Sequence, residues 1–276
     1  DYQNEKSFAD KMAIRLYQYR FSRRKPPAVL KNGGKLSAEQ REATMMALLH
    51  NTCVITGGPG TGKTTTVRTI LESLVGNGVR KDAVLLCAPT GRAAKRLSEA
   101  TGYPAYTIHR AFGLREDSGG DGGSGVRDLD LVIVDEVSML DMWLGAQLLA
   151  HISPETRLIL VGDAAQLPSV GPGNVLAEII RSGAVPVAQL KTVFRQASGS
   201  SIAVNAQLID SRETELVFDD NFVMIPAKDQ QEAMYLLCAL YKRAAESVGP
   251  ENVQILTPVR KDGHQCGVSG GAGLFP

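Results

Sequence analysis

No part of this 276-residue chain is apolar for long enough to cross a bilayer, and its first residues, DYQNEKSFADK, are polar where a secretory leader would be apolar. Cysteine is scarce and scattered. Cys53, Cys87, Cys238 and Cys266 form no CxxC pair, the usage of a cytoplasmic protein rather than a disulfide-bonded one. Cys53 and Cys87 sit in apolar runs and read as small core residues. Excess charge is also missing: 30 Lys and Arg against 29 Asp and Glu leave +1, so the whole-chain field does not attract nucleic acid. Such binding must come from local clusters, one being Arg15, Arg20, Arg23, Arg24 and Lys25 ahead of Pro26-Pro27. A solvated helix end running into a linker accounts for that cluster equally well. Aromatics make up only 5%, so core packing is the expected use of most of them. No internal repeat is present.

What remains is an ordinary globular composition, 43% hydrophobic and 21% charged, long enough for one large or two unequal domains. Residues 6–24 carry a helical apolar pattern, and KPPAVLKNGGK (25–35) reads as linker, so residues 1–35 stand apart as an N-terminal helix and linker. Ser37 followed by Gln40 is a capping box that opens a helix. Apolar strand-like runs then alternate with helical patterns. Strands are expected at TCVIT (52–56), AVLLCAPT (83–90), LVIVDE (131–136), RLILVGD (157–163) and PVAQL (186–190). Helices are expected at about 63–75, 91–100, 141–151, 173–182 and 200–210. Strands apolar on both faces and separated by helices predict an α/β fold, a parallel sheet covered by helices on both faces. Further on, FVMIP (222–226) reads as a strand, about 229–246 as a helix and VQILTPVRK (253–261) as another strand-like run. The last ten residues, GVSGGAGLFP, read as unstructured.

The stretch TCVITGGPGTGKTTT carries the chemistry. Gly57, Gly58, Pro59, Gly60, Thr61, Gly62, Lys63 and Thr64 fit G-x-x-x-x-G-K-[ST], with Thr65 beside them, between an expected strand and an expected helix. Glycines let successive backbone N–H groups turn inward onto phosphates, and the helix N-terminus adds partial positive charge. Lys63 would reach the β- and γ-phosphates, and the Thr64 hydroxyl would ligate Mg²⁺. In LVIVDEVSML, Asp135 ends an apolar strand where a carboxylate can hold Mg²⁺, and Glu136 follows where it can polarise a water as general base. A solvated acidic pair is the plain alternative.

With these motifs the chain resembles the superfamily 1 DNA helicases. APTGRAAKRL (88–97) is similar to their motif Ia, and TIHRAFG (107–113) to the segment that follows it in RecD-like enzymes. DEVSM (135–139), VGDAAQLPSVGPG (161–173) and VFRQ (193–196) look like motifs II, III and IV, and LSAEQREA (36–43) like the adenine-reading Q motif. The resemblance is strongest to the RecD/TraA-type 5′-to-3′ subgroup. It implies a RecA-like P-loop ATPase domain at 36–196, ATP and Mg²⁺ as ligands, and single-stranded DNA or duplex ends as partners. Recombination or conjugation proteins are further implied partners, with no membrane. Gln40 would then read adenine, the alternative being a cap alone. Gln166 would sense the γ-phosphate, and Arg195 would act as an arginine finger, the alternative being a surface salt bridge. The DNA surface would use Pro89, Thr90, Gly91, Arg92 and Lys95, with Arg96 on the same helix face, then Thr107, His109 and Arg110; for the Arg92, Lys95 and Arg96 face the alternative is solvent alone. His109 has no metal-ligand company. Phe112, Tyr103 and Tyr106 could stack on bases or pack in the core.

Two departures from that family stand out. The interval holding the family's pin hairpin is glycine-rich here (114–130), so a flexible insertion is expected instead. The later motifs of a second RecA-like domain are absent, so 197–276 reads as its incomplete beginning. An ATP-driven 5′-to-3′ helicase in the parent protein is therefore expected, with this piece hydrolysing ATP weakly or not at all. Two rivals remain. A GTPase would need an Asn-Lys-x-Asp stretch, which is missing, and a small-molecule kinase has no need of the motif III-like segment. A nucleotide-dependent interaction module without motor action would be told apart by its ATPase response to DNA.

Overall fold

The computed structural model describes residues 2–19, 36–114, 128–192 and 200–256. Six strands, β1 (Thr52–Gly57), β2 (Val84–Ala88), β3 (Ala105–Thr107), β4 (Leu131–Val134), β5 (Arg157–Gly162) and β6 (Val187–Leu190), form one sheet in the order β3-β2-β4-β5-β1-β6. All pairings are parallel. The helices are α1 (Tyr2–Tyr19), α2 (Ala38–Leu49), α3 (Lys63–Gly76), α4 (Gly91–Thr101), α5 (Ile108–Phe112), α6 (Met142–Ala150), α7 (Val175–Ser182), α8 (Ser201–Asp210) and α9 (Gln230–Val248). The chain is thus an α/β fold with a parallel sheet between two helical layers.

The strand pleat divides the core in two. Val54, Cys87, Val134 and Leu160 face one layer with Leu144, Phe112 and Leu176 from α6, α5 and α7. Cys53, Ile55, Ile133 and Ile159 face the other, with Leu48, Ile70 and Leu97 from α2, α3 and α4. This is why the central strands read as unbroken apolar runs. Burial pushes the Cys53 and Cys87 thiols up to about 12, so both are inert core residues. The connection leaving β1 runs into α3 on one face, and that leaving β5 runs into α7 on the other. Between them opens the crevice in which doubly wound sheets bind ligands.

Arg15, expected in a basic patch, is instead 2% exposed. Its guanidinium donates to Thr156 O at 2.5 Å and Ser153 O at 2.8 Å, and burial lowers its pKa to about 10. With Phe8, Met12 and Leu16 packed on the same core, it fastens α1 beside α6 at the amino ends of the strands. The rest of that cluster, Arg20 to Lys25, lies outside the described residues.

Three further expectations change. β3 and α5 were not foreseen, being three and five residues long. FVMIP is not a strand: Val223 and Met224 are 67% and 73% exposed, and the only pairing there is an isolated bridge between Asp219 and Phe222. Val253 to Leu256 form no strand, and the remainder of VQILTPVRK, like most of the 114–130 insertion and all of VFRQ, lies outside the described residues. Among the described residues no helix is long and apolar enough to cross a membrane.

Candidate nucleotide site

β1 delivers the phosphate loop and α3 leaves it. Gly60 and Gly62 have φ of +77° and +84°, left-handed angles that suit glycine and turn the backbone inward. A Cβ on Gly57 would lie 2.5 Å from Leu190 O and 2.8 Å from the Thr61 hydroxyl, so the loop's first residue needs to be glycine for room. Thr61 is buried and its hydroxyl donates to Gly58 O at 2.9 Å, pinning the loop across its width. No side chain caps α3, which leaves its first N–H groups for an incoming anion. Lys63 Nζ donates to Gly57 O (2.5 Å) and Gly58 O (3.1 Å), so its charge sits over the loop. Pro59, Thr64 and Thr65 are exposed.

Gln40 couples the segment before the loop to the loop itself. Its side-chain oxygen accepts from Ser37 N at 3.1 Å, and its backbone N–H donates to the Ser37 hydroxyl at 3.2 Å, completing the capping box. The side-chain N–H₂ donates to Thr61 O at 3.3 Å. The residue is buried and both ends of its amide are engaged, so reading adenine through a donor and an acceptor together would require these bonds to open.

Asp135 and Glu136 stand at the end of β4, separated from β1 by β5 alone. Two strand spacings, about 10 Å, therefore lie between loop and carboxylates, room for a terminal phosphate. Asp135 Oδ1 accepts from Glu136 N at 2.9 Å. Burial raises the Asp135 pKa to about 6; the Glu136 N–H opposes this, the Glu136 charge adds to it, and the Lys63 charge opposes it. Glu136 adopts a left-handed backbone (φ 54°, ψ 42°), a strained posture for a residue with a Cβ. Its Oε2 is buried and has no hydrogen-bond partner. An orphaned acceptor beside a buried carboxylate suits a cation or an activated water.

The chain leaving β5 fills the gap. Ala164 N donates to the Thr56 hydroxyl at 3.2 Å, and Ala165 N to Asp163 Oδ1 at 3.1 Å, fixing the turn that ends in Gln166. Gln166 is exposed, and its Oε1 accepts from the Ser138 hydroxyl at 3.1 Å. The structure thus brings Lys63, Asp135, Glu136 and Gln166 to one edge of the sheet. Arg195 lies outside the described residues.

The residues expected to meet DNA occupy the same edge beyond β4. Ala88 and Thr107 pair across β2 and β3, so Pro89, Thr90 and Gly91 lie beside Thr107. Both threonines are N-caps, accepting from Ala93 N (3.3 Å) and Arg110 N (3.2 Å). Arg92, Lys95 and Arg96 are exposed on α4, with Lys95 3.9 Å from Glu99. His109 stacks on Trp143, centroids 6.1 Å apart, and exposed Arg110 lies 5.5 Å above the Tyr106 ring. Phe112 is core and Tyr103 packs against the other layer, so of the three aromatics considered only Tyr106 is exposed.

Three contributors went unforeseen. Thr56 and Ser138 act through contacts 108 and 28 residues away. Glu39 accepts from Lys191 N (2.8 Å) and Thr192 N (3.0 Å), which lower its pKa and tie the end of β6 to α2. The DEVSM motif itself was the available signal for Ser138.

A phosphate loop on a parallel sheet, with paired carboxylates one strand removed, defines a P-loop nucleotide-binding domain. A family model described as an AAA domain matches residues 40–172. In sequence the chain is similar to RecD and RecD2 proteins. It is 38% identical over 226 residues to the ATP-dependent RecD2 DNA helicase of Deinococcus radiodurans, covering 82% of this chain and 30% of that protein. It is 39% identical over 201 residues to the RecBCD enzyme subunit RecD of Mycolicibacterium smegmatis, covering 64% and 36%. The RecD subunit of Mycobacterium tuberculosis matches at 33% over 259 residues, covering 79% and 44%. The chain therefore spans less than half the length of these relatives. Among solved structures, Pif1 helicase from Candida albicans overlays with TM-score 0.48 at 22% identity, covering 77% of this chain and 55% of that one.

Proposed function

We propose that this chain is the ATP-binding half of a DNA helicase motor that translocates 5′ to 3′ on single-stranded DNA, acting in the cytoplasm. The observation that supports it best is the meeting of Lys63, Gln166, Asp135 and Glu136 at the carboxyl ends of three adjacent strands. Exposed Arg92, Arg96 and Arg110 along the same edge offer a track for the nucleic-acid backbone.

In this reading the loop N–H groups and Lys63 bind the β- and γ-phosphates of ATP. Among the described residues no three His, Cys, Asp or Glu side chains gather, so a cation would be held by Asp135 and Thr64 with phosphate oxygens and water. Mg²⁺, when bound, supplies charge neutralisation between the phosphates. Glu136 accepts the proton of a water as its oxygen bonds to the γ-phosphorus and the bond to ADP breaks. Gln166 holds the γ-phosphate and registers its departure. Gln40 at adenine and Arg195 at the transferring phosphoryl group complete the assignment.

We read residues 197–276 as the start of a second RecA-like domain. Within it α9 buries no residue and leaves Tyr235 and Leu240 exposed. Motor action needs two domains closing on nucleotide, so this chain alone should bind ATP, turn it over slowly and not unwind DNA. Single-stranded DNA or duplex ends, and recombination or conjugation proteins, are the partners proposed for the whole protein.

The test is ATP hydrolysis with and without single-stranded DNA, and strand displacement from 5′-tailed and 3′-tailed duplexes, in the longer protein. DNA-stimulated hydrolysis lost in Lys63→Ala, with unwinding from 5′ tails, supports the proposal. Preference for 3′ tails overturns the polarity, and no DNA response overturns the motor.

A further inference from the structure

We infer that Ser138 is a positioning residue that decides which end of the Gln166 side chain faces the nucleotide. A glutamine amide has a donor end and an acceptor end, whereas the terminal oxygens of ATP only accept. Gln166 can therefore hold a γ-phosphate only if its N–H₂ is outermost. The Ser138 hydroxyl donates to Gln166 Oε1 at 3.1 Å, occupying the acceptor end and leaving both N–H groups to point away from Ser138. Ser138 is 4% exposed while Gln166 is exposed, so the fixed partner is the serine and the movable one is the glutamine.

The serine is itself immobilised by its surroundings. A Cβ on Gly162 would fall 3.2 Å from Ser138 N and 3.3 Å from Val137 N, so the end of β5 lies directly on the Val137–Ser138 backbone. Beyond it, Met142 N donates to Pro172 O at 3.0 Å, and a Cβ on Gly171 would meet the Asp141 carboxylate. The two segments are therefore clasped on either side of the Ser138–Gln166 bond. Ser138 also lies two residues past Glu136, so γ-phosphate recognition and water activation share one short turn. The inference rests on the reading of Gln166 as γ-phosphate sensor given above.

The test measures the affinities of this chain for ADP and for a non-hydrolysable ATP analogue, using fluorescent nucleotides, with no turnover required. Ser138→Ala should weaken analogue binding about tenfold, the effect of one lost hydrogen bond, and leave ADP affinity unchanged. Ser138→Thr keeps the hydroxyl and should restore the wild-type ratio. In a Gln166→Ala background, Ser138→Ala should add nothing. An equal loss for both nucleotides, an unchanged ratio, or additive losses in the double variant would overturn the inference. A normal ratio pattern in a longer protein that fails to hydrolyse ATP would sink the motor reading and leave this one standing.

Discussion

The Gln40 side-chain amide donates to the carbonyl of Thr61 at 3.3 Å, so the helix before β1 and the phosphate loop after it are joined by one side chain. Gln40 also closes the capping box with Ser37. Replacing it with alanine should lower stability by about 1–2 kcal/mol through the cap and the tether. The same change should weaken nucleotide binding by loosening the loop. Thermal unfolding and nucleotide titration measure the two effects; a Gln40→Ala protein that melts like wild type would refute the tether.

Asp135 predicts a pH dependence of definite sign. Its folded pKa of about 6 lies above the ordinary 3.8 because burial disfavours the charge. The folded state then binds the proton more tightly than the unfolded state, so the ionised group costs stability. That cost is absent below the unfolded value, grows between about pH 4 and 6, and is complete above the folded value. Asp135→Asn should stabilise the nucleotide-free protein at pH 7.5 by up to roughly 3 kcal/mol, with the gain vanishing near pH 3.5. It should also remove the Mg²⁺ dependence of nucleotide binding. Melting curves across pH decide the first point, and an equal gain at all pH values would contradict it.

Arg15 should matter for folding and not for nucleotide. Arg15→Ala removes two hydrogen bonds to Thr156 O and Ser153 O and the packing of a buried side chain. A loss of about 2–4 kcal/mol is expected in denaturant unfolding. Limited proteolysis should then release α1, while nucleotide affinity holds. Wild-type stability in this variant would mean that α1 is held by its apolar face alone.

Arg92 and Arg96 give the cleanest test of the proposed DNA edge. Both are exposed on α4. Replacing the pair with alanine should weaken binding to a labelled oligothymidylate without sequence preference. If each meets one phosphate, the slope of log affinity against log salt should fall in magnitude by about 1.4. Fluorescence anisotropy at several KCl concentrations reads this, and an unchanged slope would place DNA elsewhere.

Much of this arrangement was legible in the sequence because burial on both faces writes itself as apolar runs. β2, β4, β5 and β6 fall within the expected stretches, and β1, α3, α4, α6 and α7 match theirs to within about two residues. The Ser37–Gln40 box was equally plain, since its spacing is local. β3 escaped because three residues at a sheet edge, half-exposed, leave no periodicity to detect. FVMIP misled in the opposite sense: an apolar run is evidence of burial, and here the run is exposed. Arg15 escaped because a guanidinium on a helix reads as solvated unless two distant carbonyls are known to await it. Ser138 and Gln166 are 28 residues apart, and only the adjacency of β4 and β5 brings them together.

β6 leaves the sheet with Leu190 O backed against Gly57, and Glu39 grips the next two amides. Whatever follows Thr192 thus starts its path about one strand spacing, roughly 5 Å, from the phosphate loop. With no room even for one methyl group between Gly57 and Leu190, that flank of the loop offers a small-molecule inhibitor no foothold, and one aimed at this site has to enter from the carboxylate side.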